Sequence, residues 1–253
     1  MSTVLAATAG SPLWYFARAT GMVALVLLTV TVVLGVVTSV RWSSRRWPRF
    51  VVEYVHRDVT LLVMTFIVLH VATVVLDGYA PIGWAAAVVP FSSPYRALWL
   101  GLGAVAFDLL LAVGATSWLR HRVGFRVWRF VHWFAYGAWG FSVVHGLATG
   151  TDTQRGWALF VNAACVAAVL AAVWWRLAVG WREDRAGIRT ALLGMTFVLP
   201  LALLGWLRAG PLATGWARRS GTPASVLEKT TQGQTTTSTT NAPVNEDDGG
   251  FER

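Results

Sequence analysis

A chain of 253 residues that is 55% hydrophobic and 13% charged, with a mean hydropathy of +0.55, lies beyond the usual range of soluble domains and reads as a membrane protein. A net charge of +9 would favour nucleic acid in a soluble domain, but the basic residues fall in short stretches between apolar runs, so the charge reads as topology and no nucleic-acid partner is expected. The single cysteine, Cys165 in an apolar run, excludes an internal disulfide or a thiolate metal site, and no phosphate loop or dinucleotide fingerprint is present.

In chain order, a short polar leader (residues 1–13) precedes the apolar run Trp14 to Val40, which is too long for a secretory signal and predicts a first spanning helix. Arg18 near its start is either a snorkelling interface anchor or a partner for an anionic group. A basic, tryptophan-rich loop, Arg41 to Arg49, leads to a second helix from about Val55 to Leu76, and Asp77-Gly-Tyr-Ala-Pro81 ends it with turn chemistry. The apolar segment Ile82 to Phe91 is too short to span and is expected to lie in the interface or fold back. A third helix covers Tyr95 to Leu119, with Asp108 near its middle, where a carboxylate needs a hydrogen-bond partner or a proton. The basic turn Arg120 to Arg126, in which His121 is expected to be solvated, opens a fourth helix from Val127 to Ala148. A fifth runs from Gly156 to Val179 and a sixth from Thr190 to Leu207. Residues 209–253 turn Thr- and Ser-rich with an acidic end, a composition that cannot bury a core and predicts a disordered tail. The expected fold is all-α: a polytopic membrane bundle of six transmembrane helices over residues 14–208.

Thirteen arginines fall in or beside the odd loops and two in the even ones. The positive-inside rule then puts the odd loops in the cytoplasm of a cell-membrane protein, with both termini extracytoplasmic. The second and fourth helices run parallel, from the inner face to the outer.

Those two helices carry the chemistry. His56 and His70 stand fourteen residues apart on the second, and His132 and His145 thirteen apart on the fourth. At about 1.5 Å rise per residue each interval spans roughly 20 Å, two-thirds of a hydrocarbon core of about 30 Å. Imidazoles inside a bilayer are costly and usually functional. Parallel helices pair His56 with His132 near the inner face and His70 with His145 near the outer, a pattern suited to two bis-histidine b haems. Fourteen steps of about 100° fall only about 40° short of four turns, so His56 and His70 share a face. Thirteen steps fall about 140° short, so His132 and His145 need a local tightening or kink, for which Gly137 and Gly140 are the expected place. Arg57, Arg126 and Arg129, like Arg18, are candidate partners for haem propionates as well as topology determinants. The competing reading is a haem-free transporter or scaffold whose histidines bind an ion or carry protons.

The segments His56 with Leu-His70, Arg-Val-Gly-Phe-Arg-Val-Trp-Arg-Phe-Val-His132 and His145-Gly-Leu-Ala-Thr-Gly-Thr-Asp152 resemble the ferric-reductase-like transmembrane domain family. That family is related to the membrane domains of NADPH oxidases, metalloreductases and the haem subunit of bacterial methionine-sulfoxide reductases. The resemblance covers about Trp14 to Leu207 and implies two stacked b haems and electron transfer across the membrane, commonly from a cytoplasmic flavin or quinone. It departs from NADPH oxidases after the fifth helix, where a sixth helix and a polar tail stand in place of a flavin and nicotinamide domain. No residue is assigned to flavin or nicotinamide, so the expected role is the membrane haem subunit of a reductase system, served by a separate flavoprotein or quinone. A quinol-oxidising cytochrome b subunit is the alternative within that class.

Overall fold

The computed structural model describes residues 11–78, 80–179 and 186–228. All regular structure among them is helical: α1 (Pro12–Ser39), α2 (Arg49–Leu76), α3 (Ala85–Val88), α4 (Ala97–Trp118), α5 (Arg120–Val123), α6 (Phe125–His132), α7 (Phe134–Thr149), a 3₁₀ turn (Thr151–Gln154), α8 (Gly156–Val179), α9 (Ala186–Ala209) and α10 (Trp216–Arg219). Five helices are long and apolar enough to cross a membrane, namely α1, α2, α4, α8 and the Arg189–Ala209 part of α9. Much of their large apolar side-chain surface faces outward, as it does where lipid is the solvent. The chain is an integral membrane protein.

Helix starts follow local chemistry. Ser11 Oγ accepts the Trp14 amide and Pro12 opens α1, where its missing N–H costs nothing. Pro48, extended, precedes α2, which begins at Arg49, six residues before the sequence-based start. The charged first turns of α2, with Arg49 and Glu53, imitate a loop in composition.

The fourth expected span, Val127 to Ala148, is two helices, α6 and α7, each too short to cross alone and separated by the single residue Trp133. The expected distortion at Gly137 and Gly140 is not where the backbone changes, because both lie inside regular α7. Instead the Trp133 amide donates to Phe130 O at 3.2 Å, and the Tyr136 amide donates to Trp133 O at 3.2 Å. Such three-residue bonds wind about 120° per residue instead of about 100°, supplying extra rotation between His132 and His145.

α1 packs along α2, α4 packs along α7, and α1 also touches α7 and α8, so the two histidine-bearing strands of helix meet around α1 and α4. Leu28, Val63, Leu110 and Ala138 form the core between the histidine levels; Leu25, Val143, Leu147, Cys165 and Leu207 form the core toward α8 and α9. Trp139 packs against both clusters and donates its Nε1–H to Thr29 Oγ1 at 3.0 Å, locking α7 to α1.

The polar stretch expected to be disordered from residue 209 is folded as far as residue 228. Ser220 and Val226 are buried, and Arg96 holds the segment: Nε donates to Thr222 Oγ1 at 2.9 Å and an Nη to Ala148 O at 2.9 Å, while its amide donates to Gly221 O. Residues 229–253, the rest of that expected tail, and leader residues 1–10 lie outside the described residues, as do 180–185 with Arg182 and Arg185.

Candidate functional site

Two histidine pairs stand at two levels of the bundle. The rings of His56 and His132 have centroids 6.4 Å apart and planes at 64°; those of His70 and His145 have centroids 6.4 Å apart and planes at 82°. A metal lies about 2.0–2.1 Å from a ligating imidazole nitrogen, and the ring centroid about 1 Å further back, so two rings sharing one metal have centroids roughly 6 Å apart. Both pairs have that separation. His121, exposed on α5, takes no part.

Three of the four imidazoles are oriented in one way. His56 Nδ1 lies 3.1 Å from Thr31 O, His70 Nδ1 2.7 Å from Ala17 O, and His145 Nδ1 2.9 Å from Trp99 O. A carbonyl can only accept, so Nδ1 carries the proton and donates, leaving the Nε2 lone pair free for a metal. In each case a glycine stands four residues after the accepting carbonyl: Gly35, Gly21 and Gly103. A Cβ at Gly103 would come within 2.6 Å of the His145 ring, one at Gly21 within 2.8 Å of the His70 ring, and one at Gly35 within 3.4 Å of the His56 ring. The rings occupy the grooves those glycines leave. His132 differs: its Nδ1 is buried with no hydrogen-bond partner among the described residues, and its ring packs on the Trp128 indole at 5.1 Å.

A cavity of about 680 Å³ opens between α1, α2, α4 and α7 around His70 and His145, within the range of cofactor pockets. Its wall is apolar through Met22, Leu25, Ile67 and Phe107, and its mouth is polar through Arg18, Asp77, Tyr95 and Asp152. Arg18 pairs with Asp152 and lies over the Trp14 ring at 4.2 Å, while Arg155 Nε bonds Asp152 at 3.0 Å. Asn162, on α8, also lines the cavity, and its Oδ1 has no partner among the described residues. The apolar slot, the polar mouth and the ring spacing together fit a b haem at this level, and the ring spacing fits one at the other.

Of the arginines expected near propionates, Arg18 alone lines this cavity. Arg57 is exposed and bonds Asp58 at 3.1 Å, Arg129 is exposed over the Phe125 ring at 5.2 Å, and Arg126 is exposed on α6. The sequence reading passed over Gly21, Gly35 and Gly103, although Gly21 and Gly35 repeat the fourteen-residue interval of His56 and His70.

The fold and site define a helical integral membrane protein with stacked histidine pairs. Residues 20–143 match the family described as ferric reductase like transmembrane component, so over this segment the chain is similar to that family. The match takes in His56, His70 and His132 and stops two residues short of His145. No curated protein and no solved structure matches the chain significantly. Domains of that family typically bind haem, and the match points to electron transfer within the membrane.

Proposed function

We propose that the chain carries electrons across the membrane through two b haems, one held by His56 and His132 and one by His70 and His145, as the membrane haem subunit of a reductase system. The observation that carries this reading is the pair of matching 6.4 Å ring separations, with Nδ1 turned to a backbone carbonyl in three of the four rings. Bound haem supplies one-electron iron chemistry at each level. The chain supplies position: α1 and α4 present the carbonyls, α2 and α6–α7 present the imidazoles, and glycines let ring and backbone meet. Arg18 and its ion pair at the outer mouth of the cavity give an anionic propionate a cation to approach. Arg57, Arg126 and Arg129 offer the same charge at the opposite level.

In this reading α6 and α7 act as one span. Residues 125–149 rise about 37 Å at 1.5 Å each, enough for a core of about 30 Å, and bring the spans to six. The arginine bias then sets the odd loops in the cytoplasm and both termini outside. A separate flavoprotein or quinone serves as the redox partner.

An absorption spectrum of the purified protein with a haem assay tests the proposal. A Soret band, a reduced α-band of b type and two haems per chain are expected. A chain that purifies folded and colourless would instead support a haem-free role for the histidines.

A further inference from the structure

The two histidine levels are built by one rule with a single exception. On α1 the accepting carbonyls, Thr31 and Ala17, are fourteen residues apart, and so are the glycines that follow them, Gly35 and Gly21. On α4 the same rule gives Trp99 O and Gly103 for His145. Fourteen residues further along α4 stand Val113 and Ser117, at the level of His132. There the rule stops: Ser117 has a side chain where the other three grooves have none, and His132 Nδ1 has no hydrogen-bond partner among the described residues. Ser117 Oγ accepts the indole Nε1–H of Trp128 at 3.2 Å. The Trp128 ring, one helical turn before His132 on α6, lies against the imidazole with its plane tilted 32°.

We propose that Trp128, anchored by Ser117, is the positioning residue of His132 and takes the place of the carbonyl groove that orients the other three ligands. The proposal rests on the di-haem reading above. An indole packed on the imidazole restrains the ring by contact area and does not draw on the Nδ1 proton, whereas a carbonyl bonded to Nδ1–H both fixes the ring and raises its basicity. His132 is therefore the most weakly held ligand of the four, and the His56–His132 centre depends on one aromatic contact.

The test uses the full chain in detergent, with haem content, carbon monoxide binding to the reduced protein and low-spin EPR as readouts. Wild-type protein should hold two six-coordinate haems that do not bind carbon monoxide. Trp128→Ala should let carbon monoxide bind at one haem of the two, while the other keeps its wild-type EPR signal and reports an intact fold. Trp128→Phe, which keeps an aromatic face, should stay closed to carbon monoxide. Ser117→Ala should shift the EPR signal of the same single haem, and it decides the matter where Trp128→Ala does not accumulate. Two carbon monoxide-inert haems with unchanged EPR signals in Trp128→Ala, or an unchanged EPR spectrum in Ser117→Ala where that variant decides, overturn the proposal. A wild-type protein without haem would instead sink the di-haem reading itself.

Discussion

At the scale of single residues, the glycines grade the site. A Cβ at Gly103 or Gly21 would sit 2.6 or 2.8 Å from a histidine ring, closer than real Cβ contacts come, whereas at Gly35 the nearest ring atom is 3.4 Å away. Gly103→Ala and Gly21→Ala should therefore push His145 or His70 off its carbonyl and weaken haem binding at that level by about tenfold or more, the usual cost of a lost outer-shell contact. Gly35→Ala should keep both haems. Haem content of the three purified variants checks this, and equal content in all of them would refute the groove argument. Direct removal of a ligand should be selective too: His70→Ala or His145→Ala should cost the outer haem and spare the inner, and His56→Ala or His132→Ala the reverse. The four histidines were legible in the sequence because a polar ring in an apolar run stands out. Their supports were not, since a backbone carbonyl carries no residue label and glycine leaves no mark in a hydropathy pattern. The Trp128–His132 contact was within reach, because four residues on a helix is one turn.

At the scale of elements, the angle between His132 and His145 announced that the fourth helix must tighten somewhere, and the break at Trp133 is that tightening. Its place was hidden because tryptophan is no helix breaker, while Gly137 and Gly140 attracted the expectation on propensity alone. The segment after Gly210 misled for a related reason. Its composition is polar, yet Trp216 packs against Trp99 and Trp206 with ring centroids at 5.4 and 6.1 Å, and its Nε1–H donates to Ala148 O at 3.0 Å. Arg96, a buried cation, binds the same carbonyl and ties in Thr222. A few anchor residues fold a stretch whose average says otherwise. Trp99 also supplies the carbonyl that orients His145, so this segment braces the His70–His145 level. Arg96→Ala strands buried acceptors and should cost about 1.5–3 kcal/mol, the range for hydrogen bonds to a charged group. Thr222→Val, which loses one bond, should cost less. Thermal melts followed by tryptophan fluorescence should show Tm falling in that order, and a Tm unchanged in Arg96→Ala would mean that the latch does not hold the fold.

At the scale of the whole molecule, the di-haem reading and the arginine bias make a joint statement about direction and supply. With the odd loops in the cytoplasm, a reporter that is active only in the cytoplasm should stay silent when fused after Arg253, and activity from that fusion would exchange the inner and outer levels. The supply of electrons is constrained more tightly. Accepting a hydride from a nicotinamide cofactor takes a two-electron mediator such as a flavin, held beside a nucleotide-binding fold. The segments joining α1 to α2, α4 to α6 and α8 to α9 are each much shorter than the 50 or so residues of a minimal domain. In the di-haem reading each level would pass one electron at a time, so a partner would have to divide the pair first. Dithionite should therefore reduce the haems of this 253-residue chain, while NADH and NADPH should leave them oxidised until a flavoprotein or a quinol is added. Anaerobic stopped-flow spectra at the reduced α-band make the comparison. Rapid reduction by NADPH in a flavin-free preparation would show that the chain binds and oxidises the nucleotide itself, and the role of a haem subunit served by a separate donor would fall with it.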